Sequence, residues 1–484
     1  MTTHISRRAL LQAGLGVGAA LPLGALSAAP SFAAVTNPTD AEVYGVPATN
    51  PLVSQRADPF ISRPVAGMYY FTGSVPEYDR LVLRGAPSIA GLTTAAETVI
   101  WRRPTTGRMG GHIWAPELHR IDGRWYVYFA AGDANNVFAI RMYVIESALD
   151  DPRDPAGWGT PREVTTPWGS FKLDATTFEH GGERYYVWAQ AEPEIAVNTS
   201  LYIARMASPF ELATDPVRIS TPTRSWERQG FAVNEGPAVL VRGGKVFITF
   251  SASATDARYC MGLLTADADA DLLDAASWTK TPDPVFVTND QTKQYGPGHN
   301  SFTVMPDGTD VLVYHARDYR DITGDPLYDP NRHARVQRLY WATDGTPLLG
   351  VPVGVGGPIV RLSPAGVPGS HVRHRAFVLG VESDVRELAD TQFRFVPGFA
   401  GSGSEAIQSV NYPDHYVRVV DGAVRLDPVE QGAAWASQAS FNRVVSSRGV
   451  ALQLVADRKG YLRHGSGTLD VGALSGGRSY FQLG

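Results

Sequence analysis

The stretch LDATTFEHGGERYYVW, residues 173–188, sets an acid, Asp174, eleven residues ahead of a strand-like run, Tyr185-Tyr186-Val187-Trp188. Aromatic and β-branched residues in such a run favour extended backbone. The same pair of elements recurs on both sides of it. Ala57-Asp58-Pro59-Phe60 precedes Gly67-Met68-Tyr69-Tyr70-Phe71, and Trp114-Ala115-Pro116-Glu117 precedes Trp125-Tyr126-Val127-Tyr128-Phe129. Asn234-Glu235-Gly236-Pro237 precedes Lys245-Val246-Phe247-Ile248-Thr249, and His299-Asn300-Ser301-Phe302 precedes Val311-Leu312-Val313-Tyr314. Asp58 to Tyr69, Ala115 to Tyr126, Asp174 to Tyr185, Glu235 to Val246 and Asn300 to Val311 are each eleven residues apart, and successive segments are 57, 59, 61 and 65 residues apart. An all-β unit recurring at this period is the signature of a propeller with four-stranded blades, so five repeats predict five blades. The competing explanation is coincidental spacing in a β-sandwich.

The first strand of each propeller blade lines the central channel. Asp58, Asp174 and Glu235 therefore fall at equivalent positions on blades one, three and four, and should converge at one mouth. Each acid taken alone fits a strand-end turn or cap, Asp58 above all because it precedes Pro59. Shared register argues for a site. Cleaving a glycosidic bond needs a protonated carboxylic acid at the leaving oxygen and a carboxylate that attacks carbon or activates water. A third carboxylate nearby raises the acid's pKa by like-charge repulsion. Glu235, with the longer reach, is assigned as general acid, Asp58 as the base that activates water, and Asp174 as the residue that tunes and orients Glu235.

Residues 45 to 350 resemble the family 43 glycoside hydrolases, five-bladed β-propellers. The resemblance rests on Arg56-Ala57-Asp58-Pro59-Phe60, His112-Ile113-Trp114-Ala115-Pro116-Glu117, Leu173-Asp174-Ala175-Thr176-Thr177-Phe178, Val233-Asn234-Glu235-Gly236-Pro237-Ala238 and Gly296-Pro297-Gly298-His299-Asn300-Ser301-Phe302. It implies the same base, modulator and acid roles for Asp58, Asp174 and Glu235, and a reaction that inverts anomeric configuration. It also implies an exo-acting α-L-arabinofuranosidase, with endo-arabinanase and β-xylosidase activities sharing the trio; a non-catalytic sugar-binding propeller is the rival from another class. Trp114 is expected to stack on a sugar face, Phe178 to line the substrate site and Arg317 to clamp ring hydroxyls. His299 is expected in the channel as a further substrate-binding residue, with a calcium or other ion held mostly by water possible beside it. Because calcium prefers oxygen donors, one His makes no firm metal site, and no cofactor is required. Relatives carry His-Asp-Arg where this chain has His315-Ala316-Arg317, which leaves no carboxylate at that place.

Beyond Pro358 the pattern changes to a period of 45. His371-Val372-Arg373-His374, Tyr416-Val417-Arg418-Val419 and Tyr461-Leu462-Arg463-His464 begin at 371, 416 and 461, each followed by a Phe: Phe393, Phe441 and Phe481. Three such units suggest a β-trefoil. Residues 360 to 484 look like the family 42 carbohydrate-binding modules, arabinofuranose-binding trefoils, most clearly in Ser409-Val410-Asn411-Tyr412-Pro413-Asp414-His415-Tyr416-Val417-Arg418. In that family each unit pairs a His at the end of Tyr-x-Arg-His with an Asp three residues before the Phe. Unit one keeps His374 and Asp390, unit two has Val419 and Gln438, and unit three has His464 but Arg478. One competent pocket, in unit one, is expected.

The 484 residues exceed what one hydrophobic core serves, in keeping with two domains. A net charge of −5 without a basic run offers nucleic acid no phosphate-neutralising surface. Ser6-Arg7-Arg8-Ala9-Leu10-Leu11, a weakly apolar stretch and Ser31-Phe32-Ala33 read as a twin-arginine export signal over residues 1–34, with an uncleaved anchor as the alternative. No other segment is suited to span a bilayer. A single cysteine, Cys260, excludes an internal disulfide and reads as a buried apolar residue. The expected organisation is thus a leader, a propeller over 35–358 and a trefoil over 359–484. The protein is expected to be a secreted monomer acting on arabinan or arabinoxylan.

Overall fold

The computed structural model describes residues 50–484 apart from 357, 358 and 402. The expected leader and its cleavage site lie outside the described residues.

Four antiparallel sheets and part of a fifth form the blades. Blade one runs Ala57–Ile61, Tyr69–Ser74, Arg80–Ala86, Thr98–Arg102; blade two Ile113–Ile121, Arg124–Asp133, Asn136–Ser147, Arg162–Glu163; blade three Lys172–His180, Glu183–Gln190, Ser200–Ser208, Val217–Ser220. Blade four runs Asn234–Arg242, Lys245–Ala252, Cys260–Asp267, Thr279–Lys280, and blade five Tyr295–Val304, Asp310–Arg317, His333–Arg338. The first strands touch one another in sequence, and that of blade five returns to that of blade one, closing a ring around the channel. The second strands explain the aromatic repeat. Tyr69–Ser74 is buried along its whole length, and so is Trp125–Gly132. Blades pack face to face, so both faces of these strands are covered and polar alternation disappears.

Closure comes from residues just ahead of blade one. The carboxamide of Asn50 receives the N–H of Val336 at 2.9 Å and donates to its carbonyl at 2.8 Å, while Leu52 N–H donates to Ala334 at 2.8 Å and Ala334 N–H to Val53 at 2.9 Å. The start of the described chain thereby supplies the missing outer edge of the three-stranded blade, a join that removes a free sheet edge.

In the C-terminal part, Val360–Pro364, Gln392–Pro397, Glu405–Ser409, Phe441–Ser446, Gly449–Leu454 and Phe481–Leu483 pair successively, and the last pairs with the first. The result is a closed six-stranded barrel. Three hairpins accompany it: Ser370–Arg375 with Val378–Ser383, His415–Val420 with Ala423–Pro428, and Tyr461–His464 with Leu469–Gly472. These begin within one residue of where the 45-residue period places them. Phe393, Phe441 and Phe481 fill the barrel core. Propeller and barrel lie in one compact unit and share a hydrophobic cluster in which Leu52, Phe71 and Val313 join Leu362, Ile407 and Phe441. Cys260 is buried in blade four, and burial pushes its thiol up to about 12, which leaves it inert.

Candidate active site

Every first strand carries an irregularity at the same height in the channel. Pairing with the second strand slips near Asp58, Ala115, Asp174, Glu235 and His299. One residue at each slip has positive φ: Asp58 at 51°, Ala115 at 47°, Asp174 at 55°, Gly236 at 54° and His299 at 41°. Bulges of this kind re-aim side chains, and Asp and His tolerate the left-handed region better than most residues. At Gly236 a Cβ would also stand 3.1 Å from His299 Cγ, so glycine is required there twice over. The backbone thus refines the sequence register. Gly236 is the counterpart of Asp174, with Glu235 one residue earlier, and in blade five the counterpart is His299 rather than Asn300.

The bulges bring Asp58, Asp174, Glu235 and His299 into one cavity of about 460 Å³, walled also by Trp114, Phe138, Phe231, Tyr259, Leu327 and Arg332. Asp58 receives the Ser74 hydroxyl on Oδ2 at 2.5 Å and lies 3.5 Å from Arg332 Nη1 through Oδ1. Ser74 in turn accepts the Ala115 N–H at 2.8 Å, tying blade two to the acid. The Asp58 N–H donates to His315 Nδ1 at 3.1 Å. Burial works to raise the Asp58 pKa, but His299, Arg332, His315 and Ser74 together lower it to about 2. Burial itself holds both imidazoles below their usual range, hence neutral, so Arg332 and Ser74 carry the lasting stabilisation. Asp58 is a carboxylate at any working pH.

Glu235 is tuned the other way. Burial, and behind it the charge of Asp58, outweigh a 2.8 Å hydrogen bond from Tyr259 and push it up to about 7. Tyr259 donates to Oε1, which leaves Oε2 to hold the proton. Asp174 is raised well above the carboxylate range by burial first, then by repulsion from Glu235 and Asp58. Its Oδ2 accepts the Gly236 N–H at 3.1 Å, a bond that favours charge on Asp174. The two carboxyls titrate as a pair, both held above the ordinary carboxylate range by burial. A stability effect follows. A carboxyl whose folded pKa is raised must lose its proton against burial as pH climbs from the unfolded value to about 7. Glu235→Gln is therefore expected to melt higher than the parent at pH 8, with the difference closing near pH 4, as scanning calorimetry would show.

The other expected residues divide. Trp114 lines the cavity, stacked on His112 at 4.9 Å, and its Nε1 lacks a protein partner. His299 stands 3.3 Å from Asp58 Oδ1 and 3.7 Å from Asp174 Oδ2 through Nδ1. Arg317 does not reach the cavity. Its guanidinium is spent on Asp329 at 3.0 Å and on the carbonyls of Thr255 and Pro326, each at 2.7 Å, so it pins the loop that presents Leu327. Arg332 supplies the cation instead. Phe178 is likewise displaced: four residues beyond Asp174 on one strand it lies about 13 Å further along the channel. There it stacks on Tyr185 and lines a separate cavity with Phe60, Glu117 and Ser301. Tyr259, Arg332 and Ser74 escaped the sequence reading because no periodic signal marks them.

A channel ion held by His299 and water would rest on a single protein donor. Among the described residues no three His, Cys, Asp or Glu side chains form a metal-holding group, and His299 faces carboxylates already committed to Arg332, Ser74 and Gly236.

In the barrel, unit one builds a polar cluster. His374 Nε2 lies 3.1 Å from Asn411 Oδ1, Asn411 donates to Asp390 at 2.9 Å, and Arg373 donates to Asp390 at 2.7 Å. Phe377 and Tyr412 flank the imidazole. In unit two Arg418 donates twice to Gln438. In unit three Arg478 donates to the His464 carbonyl and to Asp470, placing a cation where unit one has a carboxylate.

A five-bladed propeller that gathers oppositely tuned carboxyls into a sugar-sized cavity has the architecture of a glycoside hydrolase. Residues 48–347 match glycosyl hydrolases family 43, and the chain belongs to that family. Residues 360–482 match the alpha-L-arabinofuranosidase B (ABFB) domain. The chain is 52% identical, over 82% of its length and 82% of the relative's, to an extracellular exo-alpha-(1->5)-L-arabinofuranosidase of Streptomyces avermitilis. It is 48% identical to alpha-L-arabinofuranosidase 43 of Humicola insolens, over 90% and 94% of the two chains. Among solved structures, alpha-L-arabinofuranosidase from Lactobacillus brevis superposes with a TM-score of 0.62 at 53% identity, covering 64% of this chain and 98% of that one.

Proposed function

We propose that this protein is a secreted exo-acting α-L-arabinofuranosidase that removes terminal arabinofuranosyl units from α-1,5-linked arabinan or arabinan and arabinoxylan side chains. The observation that carries the reading is the opposed tuning of two carboxyls in one cavity, Asp58 ionised and Glu235 protonated, in a chain about half identical to two enzymes named α-L-arabinofuranosidases, one of them extracellular and exo-acting. Asp58 takes a proton from a water poised against the anomeric carbon. The water oxygen bonds to that carbon as the glycosidic bond breaks, Glu235 passes its proton to the departing oxygen, and configuration inverts. Asp174 takes the part of the residue that tunes and orients Glu235, holding the neighbouring Gly236 N–H on its Oδ2. Trp114 offers an aromatic face to the sugar. Release of arabinose alone from linear arabinan, followed by chromatography, is the expected result; oligosaccharides as first products would mark an endo enzyme and overturn the exo assignment.

The closed barrel with three hairpins is read as a trefoil that binds arabinofuranose through unit one. His374 and Asp390, joined by Asn411, present a hydrogen-bonding set beside aromatic rings, whereas unit two has Val419 and Gln438 at these places and unit three has Arg478 in place of the carboxylate. His374→Ala is expected to weaken binding of arabinofuranosyl side-chain ligands about tenfold, roughly the worth of one buried hydrogen bond. Titration calorimetry with unchanged affinity would refute this. Export by the twin-arginine route is proposed from Arg7-Arg8.

A further inference from the structure

A third concavity, of about 430 Å³, opens between blade five and the barrel. Its propeller wall is Lys293, Gln294 and Asp318, its barrel wall Arg394, Val410 and Pro413, and the connecting segment gives it Val353 and Val355. The size falls within the ordinary range of ligand pockets. At its base Gln294, only 1% exposed, donates through Nε2 to Asp318 at 2.7 Å and to the Lys293 carbonyl at 2.7 Å, while its Oε1 has no protein partner. A buried acceptor without a donor is costly, and a donor entering at the groove's base would satisfy it. Asp318 adds a second acceptor, for Oδ1 already takes Gln294 and Arg335 and the side chain remains 41% exposed. Val355, 67% exposed, and Pro413 add apolar surface. Hydroxyls on one side and C–H groups on the other describe a neutral sugar.

The groove's position agrees with that chemistry. Arg317, one residue from Asp318, donates to the carbonyl of Thr255, which lines the catalytic cavity. Val410 and Pro413 bracket Asn411 and Tyr412 of the unit-one cluster. The groove is thus lined by residues adjacent in sequence to Arg317, which is tied to the catalytic cavity's Thr255, and to Asn411 and Tyr412 of the unit-one cluster.

We infer that this groove is a separate carbohydrate subsite, which holds an internal arabinofuranosyl stretch of the polymer while its end occupies the catalytic cavity. The inference rests on the arabinan-cleaving function proposed above. Val355→Trp fills the groove from an exposed position without touching the catalytic residues. It is expected to leave kcat/KM on arabinotriose unchanged and to lower kcat/KM on long linear arabinan about tenfold, as loss of one hydrogen-bonded subsite does. In crystals of Glu235→Gln soaked with linear arabino-oligosaccharide, a sugar ring should lie in the groove within hydrogen-bond distance of the Asp318 carboxylate. Full polymer turnover by Val355→Trp, or sugar rings confined to the catalytic cavity and the unit-one cluster, overturns the groove alone. A parent enzyme that releases no arabinose even from arabinotriose overturns the function and the groove's ligand together.

Discussion

Glu235→Ala should lose about 10³- to 10⁴-fold in kcat/KM on linear arabinan, yet keep most of its rate on an aryl arabinofuranoside with a good leaving group. The asymmetry follows from the role. An alkoxide leaving from a sugar needs a proton as the bond breaks, whereas a nitrophenolate departs without one. Burial and the charge of Asp58 keep that proton on Glu235 up to about pH 7. The parent's kcat/KM should therefore fall as pH rises through about 7, and at the acid end only as Asp58 takes up a proton near 2. In Glu235→Ala the alkaline limb should vanish on the aryl substrate. Equal losses on both substrates would show that Glu235 serves something other than proton donation.

The eleven-residue offset made the blades legible because each first strand and its neighbour form one hairpin of nearly constant length. It also placed the trio around a channel. What it could not carry was position within the bulge. Glu235 and Asp174 look equivalent in the sequence, but the left-handed residue is Gly236 in one and Asp174 in the other, since glycine relieves the contact with His299. Nor does periodicity register reach. Arg332 arrives from the loop ahead of His333–Arg338, and Tyr259 from the turn ahead of Cys260–Asp267, outside any repeated segment. Phe178 misled by sharing a memorable motif with Asp174, although strand rise carries it out of the cavity. Arg317 misled differently, as a cation close in sequence to the site but consumed by its own loop. Ring closure by Asn50–Val53 depends on residues nearly three hundred positions apart, and no local pattern announces it.

Asp58→Ala is expected to be the more general lesion, costing about 10⁴-fold on natural and aryl substrates alike, because the deprotonation of water is needed whatever leaves. It also opens a direct test of stereochemistry. The deleted carboxylate leaves room on the face of the sugar opposite the leaving oxygen, and Arg332, freed of its partner, favours an anion there. Added azide should enter that space and attack the anomeric carbon while Glu235 delivers its proton to the departing oxygen, forming a carbon–nitrogen bond as the glycosidic bond breaks. The product should be β-L-arabinofuranosyl azide, with configuration inverted, identifiable by NMR, and the rate should rise with azide concentration. Azide rescue in Glu235→Ala but not in Asp58→Ala would exchange the two roles. An α-configured azide from Asp58→Ala would mean that attack comes from the other face. The opposed settings of the two groups argue against that exchange: Asp58 meets a guanidinium and a hydroxyl that both favour its charge, whereas Glu235 meets burial and a neighbouring carboxylate that favour its proton.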